Sequence, residues 1–192
     1  MSLKHFVDEY GGVIPSRVLI EAGFSYRDLR ALCASGEAQR LRQGWLATPG
    51  SDAALRTAAL CAGTLTCVTQ AKRLGLWVTA SQSAMHLAMR PNGRKPAHKG
   101  TLHLHWNTPV IRRDPRRLED GVVNVLANVA LCVPMEEAMA TWESALKQEL
   151  VTTTELRRLP FTGRARELAS TVTPFADSGL ETIVVRRLRR LG

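Results

Sequence analysis

The chain has 192 residues, of which 45% are hydrophobic, and 26 Lys and Arg against 17 Asp and Glu give it a formal net charge of +9. This length allows one large domain or two small ones with a buried core, and the hydrophobic fraction excludes a disordered chain. The positive charge favours an anionic partner, most often nucleic acid, although a basic protein without such a partner has the same composition.

The sequence shows no sign of export or membrane insertion. No apolar run approaches the ~20 residues of a transmembrane helix, and the N-terminal stretch MSLKHFVDEY lacks the apolar core of a signal peptide. We therefore expect a cytoplasmic protein. Its cysteines stand singly among apolar residues without a Cys-x-x-Cys pair, which predicts buried free thiols rather than disulfides or a zinc site. They are Cys33, Cys61, Cys67 and Cys132.

Residues 3–48 show a pattern of three short helices followed by a basic hairpin. The first helix ends at Gly11-Gly12, and the second runs from Ser16 to Ala22. Between them, Val13-Ile14 is placed to pair with the later hairpin. Three helices and two strands in this order predict a winged helix-turn-helix.

The third helix carries the clearest local signals. Ser25 is placed to cap its N-terminus, with Asp28 as the partner in a capping box. Gly36 is placed to end the helix in a left-handed conformation. An apolar face at helical spacing is expected to pack on the core: Leu29, Leu32 and Cys33.

The hairpin follows at once. Gln39–Arg42 alternates as a strand, Gln43-Gly44 forms the turn, and the chain returns through Trp45, Leu46 and Ala47. We expect Trp45 and Leu46 to belong to the core. A helix with exposed arginines that is followed by a basic hairpin is typical of a recognition helix and its wing.

This arrangement predicts a DNA-binding surface. The N-terminal part of a recognition helix meets base edges in the major groove, where Arg27 or Arg30 can bind guanine with two hydrogen bonds, while Tyr26 can reach a phosphate. The alternative is a solvated helix face. Contacts with the DNA backbone are expected from the wing and, more weakly, from the second helix: Arg40, Arg42, Gln43 and Arg17.

The remainder of the chain mixes helices and strands. Helices are predicted over about 52–62, 69–74, 134–149, 152–159, 164–171 and 178–191, and strands over 86–89, 101–106 and 121–126. We therefore predict an α+β fold, with a winged helix-turn-helix domain (1–50), a mixed α/β domain (51–175) and a C-terminal helix (176–192).

The connection RPNGRKPAHKG is expected to form a mobile hairpin tip. Its basic residues are either a second DNA contact or a solvated tip: Arg94, Lys95, His98 and Lys99. In the strand that follows, Leu102, Leu104 and Trp106 alternate with His103 and His105, which predicts one buried and one wet face.

Four histidines near this connection raise the question of a metal site: His86, His98, His103 and His105. No acidic residue or cysteine stands at ligand spacing from them, so we expect neither a metal nor a cofactor. The sequence contains no GxSxG, P-loop, GxGxxG or HExxH motif. Glu136-Glu137 fits a helix start better than acid–base catalysis, and we expect no catalytic residues and no enzyme activity.

Nearly the whole chain resembles the AbiEi-type antitoxins and transcriptional regulators of actinobacteria. The stretches that carry the resemblance are GGVIPSRVLIEAG, RDLRALCASGEAQRLRQGWLA and TCVTQAKRLGL, followed by the histidine-containing strand and the helices around Trp142 and Thr152–Leu159. The resemblance implies an antitoxin that represses its own operon. It also implies that a cognate toxin is affected only indirectly.

Many relatives in that family carry a further domain similar to very-short-patch-repair endonucleases. Residues 176–191 resemble its first helix, and Glu181 matches a glutamate that can assist the metal site in such folds. Ser178 and Glu181 also form a capping box, which explains the glutamate structurally. The sequence lacks the strand with the metal-binding aspartate and the Glu-x-Lys strand. Hydrolysis needs several carboxylates that converge on a metal ion, so we expect no nuclease activity from this chain.

We therefore expect a bacterial DNA-binding transcriptional regulator that binds double-stranded operator DNA. An inverted repeat bound by a homodimer is one form of this expectation, and the sequence leaves the oligomeric state open. One alternative is that the chain is the DNA-targeting portion of a nuclease of the restriction-endonuclease type. Another is a protein-interaction domain whose winged helix does not bind DNA.

Overall fold

The structure, a computed structural model, describes residues 3–79 and 83–173. It contains both helices and sheets, and the predicted α+β class is confirmed. The predicted last helix over 178–191, with Glu181, lies outside the described residues. None of the described helices is long and apolar enough to cross a membrane.

The N-terminal part forms helices and a sheet in the predicted places. Its elements are α1 (Leu3–Tyr10), β1 (Val13–Pro15), α2 (Ser16–Glu21), α3 (Tyr26–Ala34), β2 (Gln39–Arg42) and β3 (Trp45–Ala47). The strands form an antiparallel sheet in the order β1-β3-β2, so Val13–Pro15 pairs with the hairpin as expected. The helices cover this sheet through a core that includes Phe6, Ile14, Leu19, Leu29 and Leu46.

Local signals fix the ends of α3. The Ser25 hydroxyl accepts a hydrogen bond from the Asp28 amide at 3.2 Å, and the Asp28 carboxylate accepts one from the Ser25 amide at 2.7 Å. Both halves of the predicted capping box are therefore present. Gly36 follows the helix with a φ of +80°, the left-handed conformation that glycine adopts without strain.

The remaining described residues form a second sheet and six helices. Their bounds are α4 (Ala53–Leu60), β4 (Thr64–Leu65), α5 (Cys67–Arg73), β5 (Met85–Ala88), β6 (Leu102–His105), α6 (Val122–Cys132), α7 (Met135–Lys147), α8 (Thr153–Arg158) and α9 (Gly163–Thr171). In the sheet order β4-β5-β6, β4 is antiparallel to β5, whereas β5 is parallel to β6. The Asp52 side chain caps α4, and Thr152 with Glu155 forms a capping box at the start of α8. Helix α7 buries Ala138, Met139, Trp142, Ala145 and Leu146.

The strand predicted over 121–126 is wrong, because these residues belong to α6. A continuous apolar run fits a buried strand or a buried helix equally well. Asn124 and Asn128 are buried on one helical face at a spacing of four residues, and the side chain of each forms hydrogen bonds. Asn124 exchanges hydrogen bonds with the Ile111 backbone at 2.8 and 3.0 Å, and Asn128 donates to the Thr66 hydroxyl at 2.7 Å.

The prediction of a hairpin at RPNGRKPAHKG is also wrong. The two strands that it joins, β5 and β6, are parallel, so the chain must return to the other end of the sheet before it enters β6. The predicted faces of β6 need correction as well, since His105 is 7% exposed and Trp106 is 37% exposed. His105 was predicted to face solvent, but it is buried because its ring packs against Cys132 and the other histidines.

The two parts of the chain share a hydrophobic cluster. Trp45 and Ala47 of β3 pack together with Leu55 of α4 and Leu87 of β5. A polar contact adds to this junction, because Arg117 donates to the carboxylate of Glu9 at 2.8 Å. The N-terminal helices and hairpin are thus held against the second sheet.

Candidate nucleic-acid interface and a buried cysteine–histidine cluster

The exposed face of α3 brings together the three residues of this helix that were predicted to contact DNA. Tyr26 is 70% exposed, and Arg27 and Arg30 are exposed beside it. Their spacings of three and four residues place them on one side of the helix. Leu29, which lies nearly opposite Arg27 around the helix, is buried in the core, and this fixes the direction in which Arg27 faces.

The charges on this face are available to an external partner. Arg30 makes no ion pair within residues 3–79 and 83–173, and the Asp28 carboxylate is occupied at the helix cap. Hydrogen bonds from the Ser25 side chain and backbone, together with the charge of Arg27, hold the pKa of Asp28 below its usual value. The cap therefore stays ionised at neutral pH and complements the positive end of the helix.

The β2–β3 hairpin, which the sequence predicts to be a wing, presents a second group of predicted contacts. Arg40 and Gln43 are exposed on the β2–β3 hairpin, whereas Arg42 is half-buried. Burial lowers the pKa of Arg42, and the nearby charge of Arg90 lowers it further. The Arg42 Nε atom has no hydrogen-bond partner among the described residues. Positive charge is thus concentrated where the β2–β3 hairpin meets the start of the β5–β6 connection.

The remaining predicted contacts have different surroundings. Arg17 lies exposed on α2, but its Nε donates to the Glu21 carboxylate at 2.6 Å. A phosphate must therefore compete with Glu21 for this side chain. Arg94 and Lys95 are exposed in the connection between the parallel strands β5 and β6.

A second feature was not expected as a unit. Two cysteines and two histidines from four elements converge beside the second sheet: Cys67 at the start of α5, His86 in β5, His105 in β6 and Cys132 at the end of α6. One ligand atom from each, a sulfur or a ring nitrogen, lies within 4.8 Å of all the others. Three of the residues are buried and Cys132 is half-buried. We call this group the Cys–His cluster.

The parallel pairing of β5 and β6 creates the histidine side of the cluster. His86 lies directly opposite His103, and His105 stands two residues further along on the same face as His103. The rings of His86 and His103 stack with centroids 4.6 Å apart. The nitrogen His86 Nδ1 lies 3.2 Å from His105 Nε2.

The end of α6 brings a sulfur onto these rings. The Cys132 sulfur lies 3.7 Å from His86 Nδ1 and 3.5 Å from His103 Nε2. A hydrogen bond from the Cys67 thiol, and further ones from His105 and His86, lower the pKa of Cys132. The same bond to Cys132, together with burial, raises the pKa of Cys67. Burial also lowers the pKa of His103.

Cys67 adopts an unusual backbone conformation. Its φ of +50° lies in the left-handed region, which costs a residue with a side chain about 1–3 kcal/mol. Such strain persists only where the surrounding structure enforces it, and it is common at functional sites. Here it occurs in a buried residue that contributes a sulfur to the cluster.

No known protein-family model and no curated protein sequence matches this chain.

The sequence pattern drew attention to the histidines of the cluster but not to its two cysteines. His98, which was considered with them, is exposed in the β5–β6 connection and lies outside the group. All four cysteines are free, as predicted, but only Cys61 and Cys67 are buried, while Cys33 and Cys132 are half-buried. No spacing along the chain signals the cluster, because its members meet only through strand pairing and helix packing.

Proposed function

We propose that this chain is a DNA-binding transcriptional regulator that binds operator DNA through its N-terminal helices and hairpin. The observation that carries the proposal is the exposed, basic face of α3 directly followed by the basic hairpin β2–β3. The order of these elements, with the sheet order β1-β3-β2, supports a winged helix-turn-helix. The formal net charge of +9 supports an anionic partner.

In this proposal α3 enters the major groove with its N-terminal end. Arg27 and Arg30 then read base edges, guanine being the base that offers two acceptors to one guanidinium. Tyr26 at the first position of the helix reaches a phosphate. The capping box holds the end of α3 in a defined shape, which such a contact needs.

The wing positions the protein without reading sequence. Arg40 and Gln43 are exposed, and their side chains are long enough to reach phosphates beside the groove. The neighbouring charges of Arg42 and Arg90 strengthen the positive potential at this point. Arg94 and Lys95 extend the basic surface along the β5–β6 connection.

The resemblance to AbiEi-type antitoxins supports a narrower form of the proposal. In that form the chain represses its own operon by binding an inverted repeat as a dimer. Its effect on a cognate toxin is then indirect and does not require a stable complex between the two proteins.

Fluorescence anisotropy with the promoter upstream of the chain's own gene tests the proposal, with a scrambled duplex for comparison. We expect tighter binding to the promoter and an affinity that falls as salt rises, since phosphate contacts release counterions. Replacing both Arg27 and Arg30 by alanine should cost about 2 kcal/mol or more, roughly a 30-fold loss of affinity.

The matched control is Arg166→Ala, which removes an exposed helical arginine from α9. We expect this variant to bind like the unchanged protein. Equal binding of both duplexes, or equal affinities of the double variant and the control variant, would contradict the proposal.

A further inference from the structure

We propose that Cys67, His86, His105 and Cys132 bind one Zn²⁺ ion as a structural centre. This inference is independent of DNA binding, because it depends on a different part of the molecule. It follows from the positions of the four ligand atoms, their chemical type and the elements that carry them.

The spacing of the ligand atoms fits a tetrahedral zinc ion. With Zn–N bonds of about 2.05 Å and Zn–S bonds of about 2.3 Å, the tetrahedral angle separates two nitrogens by about 3.3 Å and a sulfur from a nitrogen by about 3.6 Å. The structure has 3.2 Å between His86 Nδ1 and His105 Nε2, and 3.7 Å between the Cys132 sulfur and His86 Nδ1. Both separations are within about 0.1 Å of the tetrahedral values, and all four ligand atoms lie within 4.8 Å of one another.

The chemistry of the ligand set also selects zinc. Two thiolates and two neutral imidazoles form a common set for tetrahedral structural zinc, whereas magnesium and calcium prefer oxygen ligands. Two thiolates balance the charge of Zn²⁺, so the complete centre is neutral. Neutrality matters because three of the four residues are buried, where an uncompensated charge is costly.

The protein supplies all four ligands, which leaves no open position for a substrate. This closed coordination is typical of structural rather than catalytic zinc. The ion would join the two parallel strands β5 and β6 to the start of α5 and the end of α6. It would thereby fix a sheet whose parallel pair is connected by a long segment without a helix of its own.

Neighbouring groups hold the ligands in place. The Thr69 hydroxyl accepts a hydrogen bond from the His86 amide at 2.8 Å and so fixes the backbone of this ligand. His103 is exposed, and its Nε2 lies 3.5 Å from the Cys132 sulfur. We assign His103 the role of a positioning residue that donates a hydrogen bond to the coordinated sulfur.

The first test measures metal in the unchanged protein. The full chain, without a histidine tag, is purified under reducing conditions without chelator. Its zinc content is then determined by inductively coupled plasma mass spectrometry. We expect one zinc per chain. Replacement by Co²⁺ should give the visible bands of tetrahedral cobalt and a thiolate charge-transfer band in the near ultraviolet.

Variants with matched controls then test the ligands. Cys132→Ser should abolish stoichiometric zinc, while Cys33→Ser, at the other half-buried cysteine, should retain it. The same comparison applies to the two buried cysteines, with loss of zinc in Cys67→Ser and retention in Cys61→Ser. His103→Ala should keep one zinc per chain, because this residue is not a ligand.

A variant that keeps four metal ligands distinguishes loss of a ligand from loss of the folded structure. Cys132→His replaces a sulfur by a nitrogen, so we expect it to bind Co²⁺ with a charge-transfer band of about half the intensity. Circular dichroism of each variant shows whether it is folded.

Three results would overturn the proposal. One is a chain without zinc that binds no added Zn²⁺ or Co²⁺ and has four thiols that react with an alkylating agent. Another is a disulfide between Cys67 and Cys132, detected as two cysteines that resist alkylation until reduction. The last is undiminished zinc binding by a folded Cys132→Ser variant.

Discussion

Arg113 and Asp120 form a two-point ion pair in which the carboxylate is completely buried. Arg113 Nε donates to Asp120 Oδ1 at 2.7 Å, and Nη2 donates to Oδ2 at 3.2 Å. The Asp120 side chain is 0% exposed and the Arg113 side chain is 19% exposed. Asn124 adds a hydrogen bond to the same carboxylate at 3.2 Å, so the pair fixes the segment before α6 to the helix itself.

Replacing Arg113 by alanine should destabilise the protein strongly. The buried Asp120 carboxylate would lose its cation, and breaking a buried pair in this way typically costs about 3 kcal/mol or more. Urea unfolding measures the change. The exposed pair of Arg116 with Asp114, whose side chains are 52% and 41% exposed, provides the control. Arg116→Ala should cost much less than Arg113→Ala, because solvent screens an exposed ion pair. Equal effects of the two variants would show that burial does not decide the strength of the pairs.

Gly12 connects the end of α1 to β1 with a φ of +75°. A Cβ atom there would lie 2.7 Å from Ser51 Cβ and 2.8 Å from the Thr48 hydroxyl oxygen, and 2.9 Å from the Ser51 backbone. We expect Gly12→Ala to cost about 1–2 kcal/mol for the left-handed conformation and about 1–3 kcal/mol for overpacking.

Gly36→Ala is the matched control for this position. Gly36 also has a positive φ, of +80°, but nothing lies within 4 Å of an added Cβ. The Gly36→Ala variant should therefore show only the free-energy cost of the left-handed backbone conformation. Thermal unfolding measures the stability of both variants. Equal destabilisation by Gly36→Ala and Gly12→Ala would contradict the packing argument.

Asp52 should make the stability of the protein depend on pH in the acid range. Burial raises the pKa of Asp52, but hydrogen bonds from Arg73, from the Leu55 and Ala54 amides, and the Arg73 charge outweigh it and leave the pKa lowered. A lowered folded-state pKa gives a contribution that is present above the unfolded value of about 3.9 and is lost as pH falls through the folded value.

The variant Asp52→Asn isolates this effect. Asparagine is also a good N-cap, so α4 should keep its start, while the partly exposed pair with Arg73 is lost at a cost of about 1 kcal/mol at neutral pH. Urea unfolding from pH 7 down to pH 3 should show the two proteins converging as the pH falls. A constant difference would show that ionised Asp52 does not stabilise the fold.

The two halves of the candidate interface should respond differently to mutation. If Arg40 touches a phosphate, Arg40→Ala weakens binding to promoter and scrambled duplexes by the same factor and lowers the salt slope by about 0.9. Arg27→Ala instead should reduce the preference for the promoter. A salt series with both duplexes distinguishes the two effects, and a loss of promoter preference in Arg40→Ala would assign base reading to the β2–β3 hairpin.

Residues that interact with near neighbours were predictable. Ser25 with Asp28 and Thr152 with Glu155 form their capping boxes because three residues of helix suffice to bring the partners together. The β2–β3 hairpin is equally local, because its turn at Gly44 has a φ of +83° that glycine provides. The exposure of Tyr26, Arg27 and Arg30 follows from helical periodicity alone.

Other features were not predictable from short stretches. An apolar run such as Val122–Cys132 fits a strand or a helix, and only the partners Ile111 and Thr66 show which arrangement satisfies its asparagines. The direction of β6 relative to β5 is likewise a property of the sheet. A long connection permits a parallel or an antiparallel return.

The sequence by itself determined the α+β class, the ends of the capped helices and the basic face of α3, because these depend on composition and on contacts a few residues apart. Only the tertiary structure decided the parallel pairing of β5 with β6 and the meeting of Cys67, His86, His105 and Cys132. These four side chains come from elements far apart in the chain, and they meet because burial of the apolar faces of the sheet, α5 and α6 fixes where each element lies.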